Sequence, residues 1–147
     1  MNVDWGQGIA LMAGPWQIGH TEPSPETVGY WEGIKQGRLL IKRCTACKKY
    51  QHPRRIFCAA CGTDTFDWVE TKGTGTVYTF STVHRAPSPE FNHEVPYTVG
   101  VIHLAEDVYV FSRIKAKAGG EVKIGAAVKL FFQETGPNGK LPAFQVV

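Results

Sequence analysis

Two spacings of apolar residues divide this chain. Near the N-terminus Val28, Tyr30, Trp31 and Ile34 recur three to four residues apart, the period of one helical face. Ser24 stands where an N-cap would, Pro25 suits the first helical position, and Glu26 favours the positive end of the helix dipole. With Gly37 as a stop, the pattern predicts a helix over residues 25–36. Leu39, Leu40 and Ile41 then lead on as a strand. Beyond residue 64 the period falls to two. Phe66-Asp67-Trp68-Val69-Glu70 alternates, and further strands are predicted over 76–84, 96–104, 108–114, 127–133 and 142–147. Glu106 with Asp107, then Gly125, then Gly136-Pro137-Asn138-Gly139 mark turns between them. Gly73 and Gly75, ahead of the long first strand, predict a bulge that bends the chain.

Five strands, the first long and bulged, match a small Greek-key barrel of OB type, with a small sandwich as the alternative. Residues 115–126 are too rich in Gly and in alternating Ala and Lys to predict a helix between the third and fourth strands. Residues 1–22 are irregular and Gly-rich, with Trp5 and Trp16 standing out. They read as an arm that docks on the domain or a partner, or as a frayed terminus. The predicted organisation is an arm over 1–23, a helix and cysteine-bearing segment over 24–70, and a barrel over 71–147.

The chemistry that changes this picture is the set Cys44, Cys47, Cys58 and Cys61, the chain's only 4 cysteines. Their spacing, C-x₂-C-x₁₀-C-x₂-C, lets two knuckles aim four thiolates at one tetrahedral point, the arrangement of a structural Zn²⁺ in a rubredoxin-like zinc ribbon. Four thiolates leave no open position, so such an ion cannot activate water; it supplies folding free energy to a segment with little apolar area of its own. Iron in an S₄ site, as in the electron carrier rubredoxin, is the rival; the basic surroundings and lack of a dedicated apolar shell favour zinc. Every thiol is then occupied, which argues against a cysteine nucleophile here.

Composition sets the bounds. With 147 residues, 43% hydrophobic and 20% charged, the chain reads as one globular domain, or a small one joined to a metal-stabilised one. The N-terminus lacks the basic and apolar regions of a signal peptide, and no apolar run approaches a bilayer span, so a cytoplasmic location is expected, with metal-bound rather than disulfide-bonded cysteines. The net charge is only +3, yet Arg38 to Cys61 holds seven basic residues and no acidic one. Part of that charge balances the thiolate cluster, and part is free to face phosphate, a CoA tail or an acidic partner.

Other candidates are weaker. His52 lies between the knuckles, within reach of a sulfur or on the surface, and His103 reads as a barrel residue with its partners satisfied. His84 and His93 flank a loop stiffened by Pro87, Pro89 and Pro96, with Phe91 as its apolar side chain; only Glu90 and Glu94 are near in sequence, and no spacing forces a catalytic pair. Long hairpin loops of OB barrels often carry ligand or partner contacts. Gly73-Thr74-Gly75 lacks the following helix that a phosphate loop needs.

In order, Tyr30-Trp31-Glu32-Gly33, Gly37-Arg38-Leu39-Leu40, the two knuckles with Gly62, Gly73 to Ser81, Val95-Pro96-Tyr97 and Ile124-Gly125 resemble the zinc-ribbon/OB-fold proteins associated with acyl-CoA metabolism. The likeness covers about residues 28–147. It departs at Ala105-Glu106-Asp107, where that family often has a Glu-Gly turn, and the arm lies outside it. The resemblance implies a non-catalytic companion of a thiolase-fold enzyme (a thiolase, a hydroxymethylglutaryl-CoA-forming system or a steroid side-chain aldolase), often in a two-plus-two complex, with the cysteine nucleophile on the partner. It implies an acyl-CoA site shared with that partner, and on loop position His84, Arg85, Phe91 and Tyr97 are the expected contacts near the CoA entrance. A nucleic-acid module, with Tyr78, Phe80, Tyr109 and Phe111 as a stacking platform, is the second reading, weakened by the low net charge.

Overall fold

The computed structural model describes residues 24–134 and 139–147, so the arm over 1–23 and most of the expected turn at Gly136-Pro137-Asn138-Gly139 lie outside the described residues. A 3₁₀ turn over Pro25–Thr27 runs into helix α1, Val28–Lys35, a shorter element than the expected 25–36. Ser24 does not cap it with its side chain. Its carbonyl accepts the Thr27 amide at 2.8 Å while its hydroxyl meets that of Thr27 at 2.9 Å, so the chain tightens before the helix begins. The C-terminal stop is as expected. Gly37 sits at φ +71°, its amide bonds the Ile34 carbonyl at 3.0 Å, and the Arg38 amide reaches Gly33 at 2.8 Å. These are the paired closing bonds of a Schellman motif.

Strand β1 (Leu40–Cys44) is the centre of a three-stranded antiparallel sheet, flanked by β2 (Tyr50–Gln51) and β3 (Phe66–Glu70). The β1–β3 register runs from Leu40 opposite Glu70 to Cys44 opposite Phe66, which carries the first knuckle to the end of the sheet. Strand β2 has only two residues, too few to show alternation in the sequence.

The other strands, β4 (Thr74–Val83), β5 (Tyr97–Leu104), β6 (Tyr109–Lys115), β7 (Ala127–Glu134) and β8 (Lys140–Val146), form a closed barrel in the order β4-β5-β6-β8-β7. Only β6 and β8 pair in parallel, which is the OB order; closure rules out the sandwich. Residues 116–126 contain no helix, as their composition predicted.

The bulge is not where the glycines placed it. The β4–β5 register shifts between Val77 and Thr79, so Tyr78 is the extra residue. Gly75 has a different task, pairing with Leu104 on one side and Val128 on the other; a Cβ there would lie 2.5 Å from the His103 carbonyl. Two strands crowd this point too closely for any side chain.

Ile102, Leu104, Val77, Val128, Ile114 and Phe144 fill the barrel, and Ile34 of α1 with Leu39 and Ile41 joins the same buried cluster. The helix therefore seats the ribbon on the barrel. Glu106, at the β5–β6 hairpin, accepts the Lys72 amide at 2.6 Å and pins the connection between the two parts. Among the described residues no helix is long and apolar enough to cross a membrane.

Candidate metal centre and contact loop

The two knuckles are built alike. The Lys48 amide bonds the Cys44 carbonyl at 3.0 Å, and the Gly62 amide bonds the Cys58 carbonyl at 2.9 Å. Each residue after a second cysteine turns left-handed, Gly62 at φ +76° and Lys48 at φ +64°. The sequence offered a glycine for only one of these turns; Lys48 makes the other against its steric preference. The four sulfurs lie within 4.8 Å of one another, and the Cys44–Cys61 and Cys47–Cys58 pairs stand 3.5 Å apart. Thiolates about 2.3 Å from one tetrahedral Zn²⁺ would be spaced about 3.8 Å apart, so the donor set fits the ion.

Electrostatics make the same case. The Thr63 hydroxyl, 3.1 Å from both Cys44 and Cys61 sulfurs, is the main reason both thiols are pulled down, Cys44 to about 6 with help from the Cys47 amide. At Cys47 the Lys49 amide pulls the other way, but burial and the Cys58, Cys44 and Cys61 thiols outweigh it and push the group up to about 11. Neighbouring sulfurs cannot all be thiolates without a cation among them. A dication removes that conflict, and Cys44, Cys47, Cys58 and Cys61 would hold it as a closed structural site.

The surrounding contacts come from residues that the spacing did not single out. Buried Gln51, not His52, donates to the Cys58 sulfur at 3.4 Å while accepting the Ala59 amide at 3.3 Å. His52 instead accepts the Arg54 amide through Nδ1 at 3.2 Å, and burial followed by Arg54, Arg55 and Lys42 holds its pKa down. Lys42 is buried at 6% exposure; its ammonium lies over Trp68 and Phe66, 5.1 and 5.5 Å from the ring centres, and donates to the Arg55 carbonyl at 2.9 Å. It fastens the segment between the knuckles to the sheet.

The loop between β4 and β5 is anchored as well. Phe91 ends a 3₁₀ turn over Pro89–Phe91, and its ring centre is 6.3 Å from that of Tyr97. Arg113 of β6 lies over Tyr97 at 4.2 Å and Phe91 at 6.0 Å and forms an ion pair with the largely buried Glu94. The structure thus gathers Phe91 and Tyr97 and adds Arg113 and Glu94 to them. His84 and Arg85 follow the last β4–β5 pair, Val83 with Tyr97, and are exposed. Arg113 was missed because its place depends on strand register, opposite Val99 and Ala143, which local spacing does not encode.

His103 is a barrel-strand residue with its partners satisfied, as expected. It lies half-exposed on the outer face of the barrel, stacked on Tyr109 at 4.4 Å with Nε2 2.6 Å from Asp107. Tyr109 meets Tyr78 edge to face at 5.0 Å, and Phe111 is 73% exposed. Phe80, by contrast, packs against the core.

Comparison with known proteins follows this division. Residues 31–67 match the family described as the ChsH2 rubredoxin-like zinc ribbon domain, and 68–133 match the ChsH2 C-terminal OB-fold domain. A probable enoyl-CoA hydratase alpha subunit of Thermomonospora curvata is 38% identical over 116 residues, covering 79% of this chain but 36% of that protein. The chain thus spans about a third of that relative's length. A DUF35 domain-containing scaffold protein of Methanocaldococcus jannaschii is 33% identical over 111 residues, 74% of this chain and 78% of its own. Among solved structures, one described as the Ltp2-ChsH2(DUF35) aldolase superposes with a TM-score of 0.77 at 35% identity, over 86% of this chain and 98% of that one.

Proposed function

The chain belongs to the DUF35 family of ChsH2-type zinc-ribbon and OB-fold proteins, and from that premise we propose that it is the non-catalytic accessory subunit of a thiolase-type acyl-CoA complex. The observation that carries this reading is the match, at 35% identity, over 98% of a chain in the structure described as the Ltp2-ChsH2(DUF35) aldolase. A steroid side-chain aldolase is accordingly one form the partner takes, and a thiolase is the broader class. The convergence of all four sulfurs supports the rest: thiolates committed to a closed metal site leave carbon–carbon bond chemistry to a cysteine on the partner. Phe91 and Tyr97, held by Arg113, with His84 and Arg85 beside them, are the contacts this reading puts at the CoA entrance. The assembly is a two-plus-two hetero-oligomer working on acyl-CoA in the cytoplasm.

Co-expression with a candidate thiolase-fold catalytic subunit from the same organism, followed by gel filtration with mass determination, tests the reading. Co-elution as two copies of each subunit is the expected result; elution of this chain alone overturns it. The exposed Tyr78, Tyr109 and Phe111 favour nucleic-acid binding as a second reading. Retention of single-stranded RNA that falls steeply with salt would establish it instead.

A further inference from the structure

Two adjoining clefts open where the ribbon meets the barrel, and the metal centre uses neither. The larger, about 690 Å³, is mainly apolar, with Trp31, Leu39, Val110, Phe111 and Phe144 in its wall. The smaller, about 400 Å³, is polar, with Tyr50, Arg55, Asp107 and Tyr109 around it. His52 and Arg54 line both, so the two clefts share a wall. The larger cleft alone is in the size range of small-molecule sites.

The polar end is positively charged by construction. Among the described residues the guanidinium groups of Arg54 and Arg55 enter no salt bridge and no side-chain hydrogen bond. Their backbone is nonetheless fixed, Arg54 through its amide to His52 and Arg55 through its carbonyl to the Lys42 ammonium. Two acidic groups bear on the site. Asp107 is taken up by His103 at 2.6 Å, and Glu26 feels Arg54 without pairing with it. Two free, planar, multiply donating cations beside exposed Phe111 and Tyr109 suit a ligand that joins phosphate to an aromatic ring. An acyl chain would fill the apolar cleft and leave both guanidinium groups unmatched.

We propose that these clefts take the 3′-phosphorylated adenosine end of CoA, with its phosphates on Arg54 and Arg55 and adenine against Phe111 and Trp31. The step rests on the acyl-CoA reading above. Phe111 and Arg113 share the outer face of β6 two residues apart, about 7 Å along the strand, so the pantetheine arm has a path from this cleft toward Tyr97.

Calorimetric titration of the full, zinc-loaded chain with adenosine 3′,5′-bisphosphate, CoA and ADP tests the assignment. The bisphosphate and CoA are expected to bind, and ADP more weakly. Arg54→Ala/Arg55→Ala should lower CoA affinity about ten-fold or more, and Phe111→Ala, which leaves the ribbon untouched, about ten-fold. Lys48→Ala/Lys49→Ala, with the same charge change elsewhere on the ribbon, should stay within about two-fold of the parent. Absence of CoA binding, equal losses in the two double variants, or ADP binding as tight as CoA would overturn the assignment, as would displacement by single-stranded RNA of lower dissociation constant. Gel filtration of Arg54→Ala/Arg55→Ala with the partner separates the two claims. Intact assembly without CoA binding by the parent chain counts against this site alone, whereas CoA binding without assembly counts against the functional reading alone.

Discussion

The barrel closes on its own backbone: β4 pairs with β5 on one side and β7 on the other, and Val77, Ile102 and Phe144 are shut inside. The ribbon has nothing comparable. Its sheet is three short strands, and beyond Leu39 and Ile41, which belong to the shared core, its buried apolar groups are mainly Cys44 and Cys58. One region is held by burying area, the other by a point where four sulfurs meet. Each should therefore fail under a different insult.

The largest effect expected is from the metal. Chelation, or Cys44→Ser with Cys58→Ser, should remove a contribution of about 10 kcal/mol and unfold the ribbon. Hydrogen exchange should show the amides of β1 and β3 losing protection while those of β5 and β8 keep theirs. Simultaneous loss in both regions would erase the distinction. Next is Gly100→Ala in the barrel, where a Cβ would collide with the Thr79 carbonyl and lie 3.0 Å from the Phe80 Cα. Backbone on the far side cannot yield, so a loss of about 3 kcal/mol is expected in denaturant titration, with zinc still bound.

The strength of the first contrast was visible in the sequence because both devices leave local marks. Cysteine spacing encodes a knuckle, and period-two alternation encodes a barrel strand. What stayed hidden was non-local. The bulge fell at Tyr78, not at the glycines, because strand register and not residue type decides where an extra residue fits. Arg113 reached Glu94 through the β5–β6 pairing, and His103 faced outward because its neighbours Ile102 and Leu104 took the interior. Lys48 turned left-handed under the constraint of the knuckle, with no glycine to announce it. The metal ligands were thus legible at once, whereas the residues that orient the contact loop were not.

The helix that joins the two regions carries an alkaline signature. Burial pushes Tyr30 up to about 12 from its ordinary 10, so folding favours the protonated phenol. That stability is fully present below pH 10 and is lost as pH rises toward 12, by about 2 kcal/mol after allowance for partial exposure. Burial lowers the pKa of Lys42, so it acts in the opposite sense: stability rises as pH climbs toward 10.5. In thermal melts across this range, Tyr30→Phe should remove the falling limb, and an unchanged limb would assign it elsewhere. Smaller still is the loop anchor. Glu94→Gln should cost about 1 kcal/mol and speed proteolysis between residues 84 and 96. Glu32→Gln breaks an exposed pair with Lys35 and should change stability by under about 0.5 kcal/mol. Equal effects from the two would show that Arg113 does not hold the loop.

A reconstitution assay bears most directly on the division of labour proposed here. Zinc-loaded chain, the thiolase-fold partner and their mixture would each be supplied with an acyl-CoA thioester and followed for carbon–carbon bond cleavage or formation. No turnover is expected from this chain alone, full turnover from the mixture, and complete loss when the partner's nucleophilic cysteine is replaced. Turnover by this chain without a partner, or by a mixture lacking that cysteine, would contradict that division.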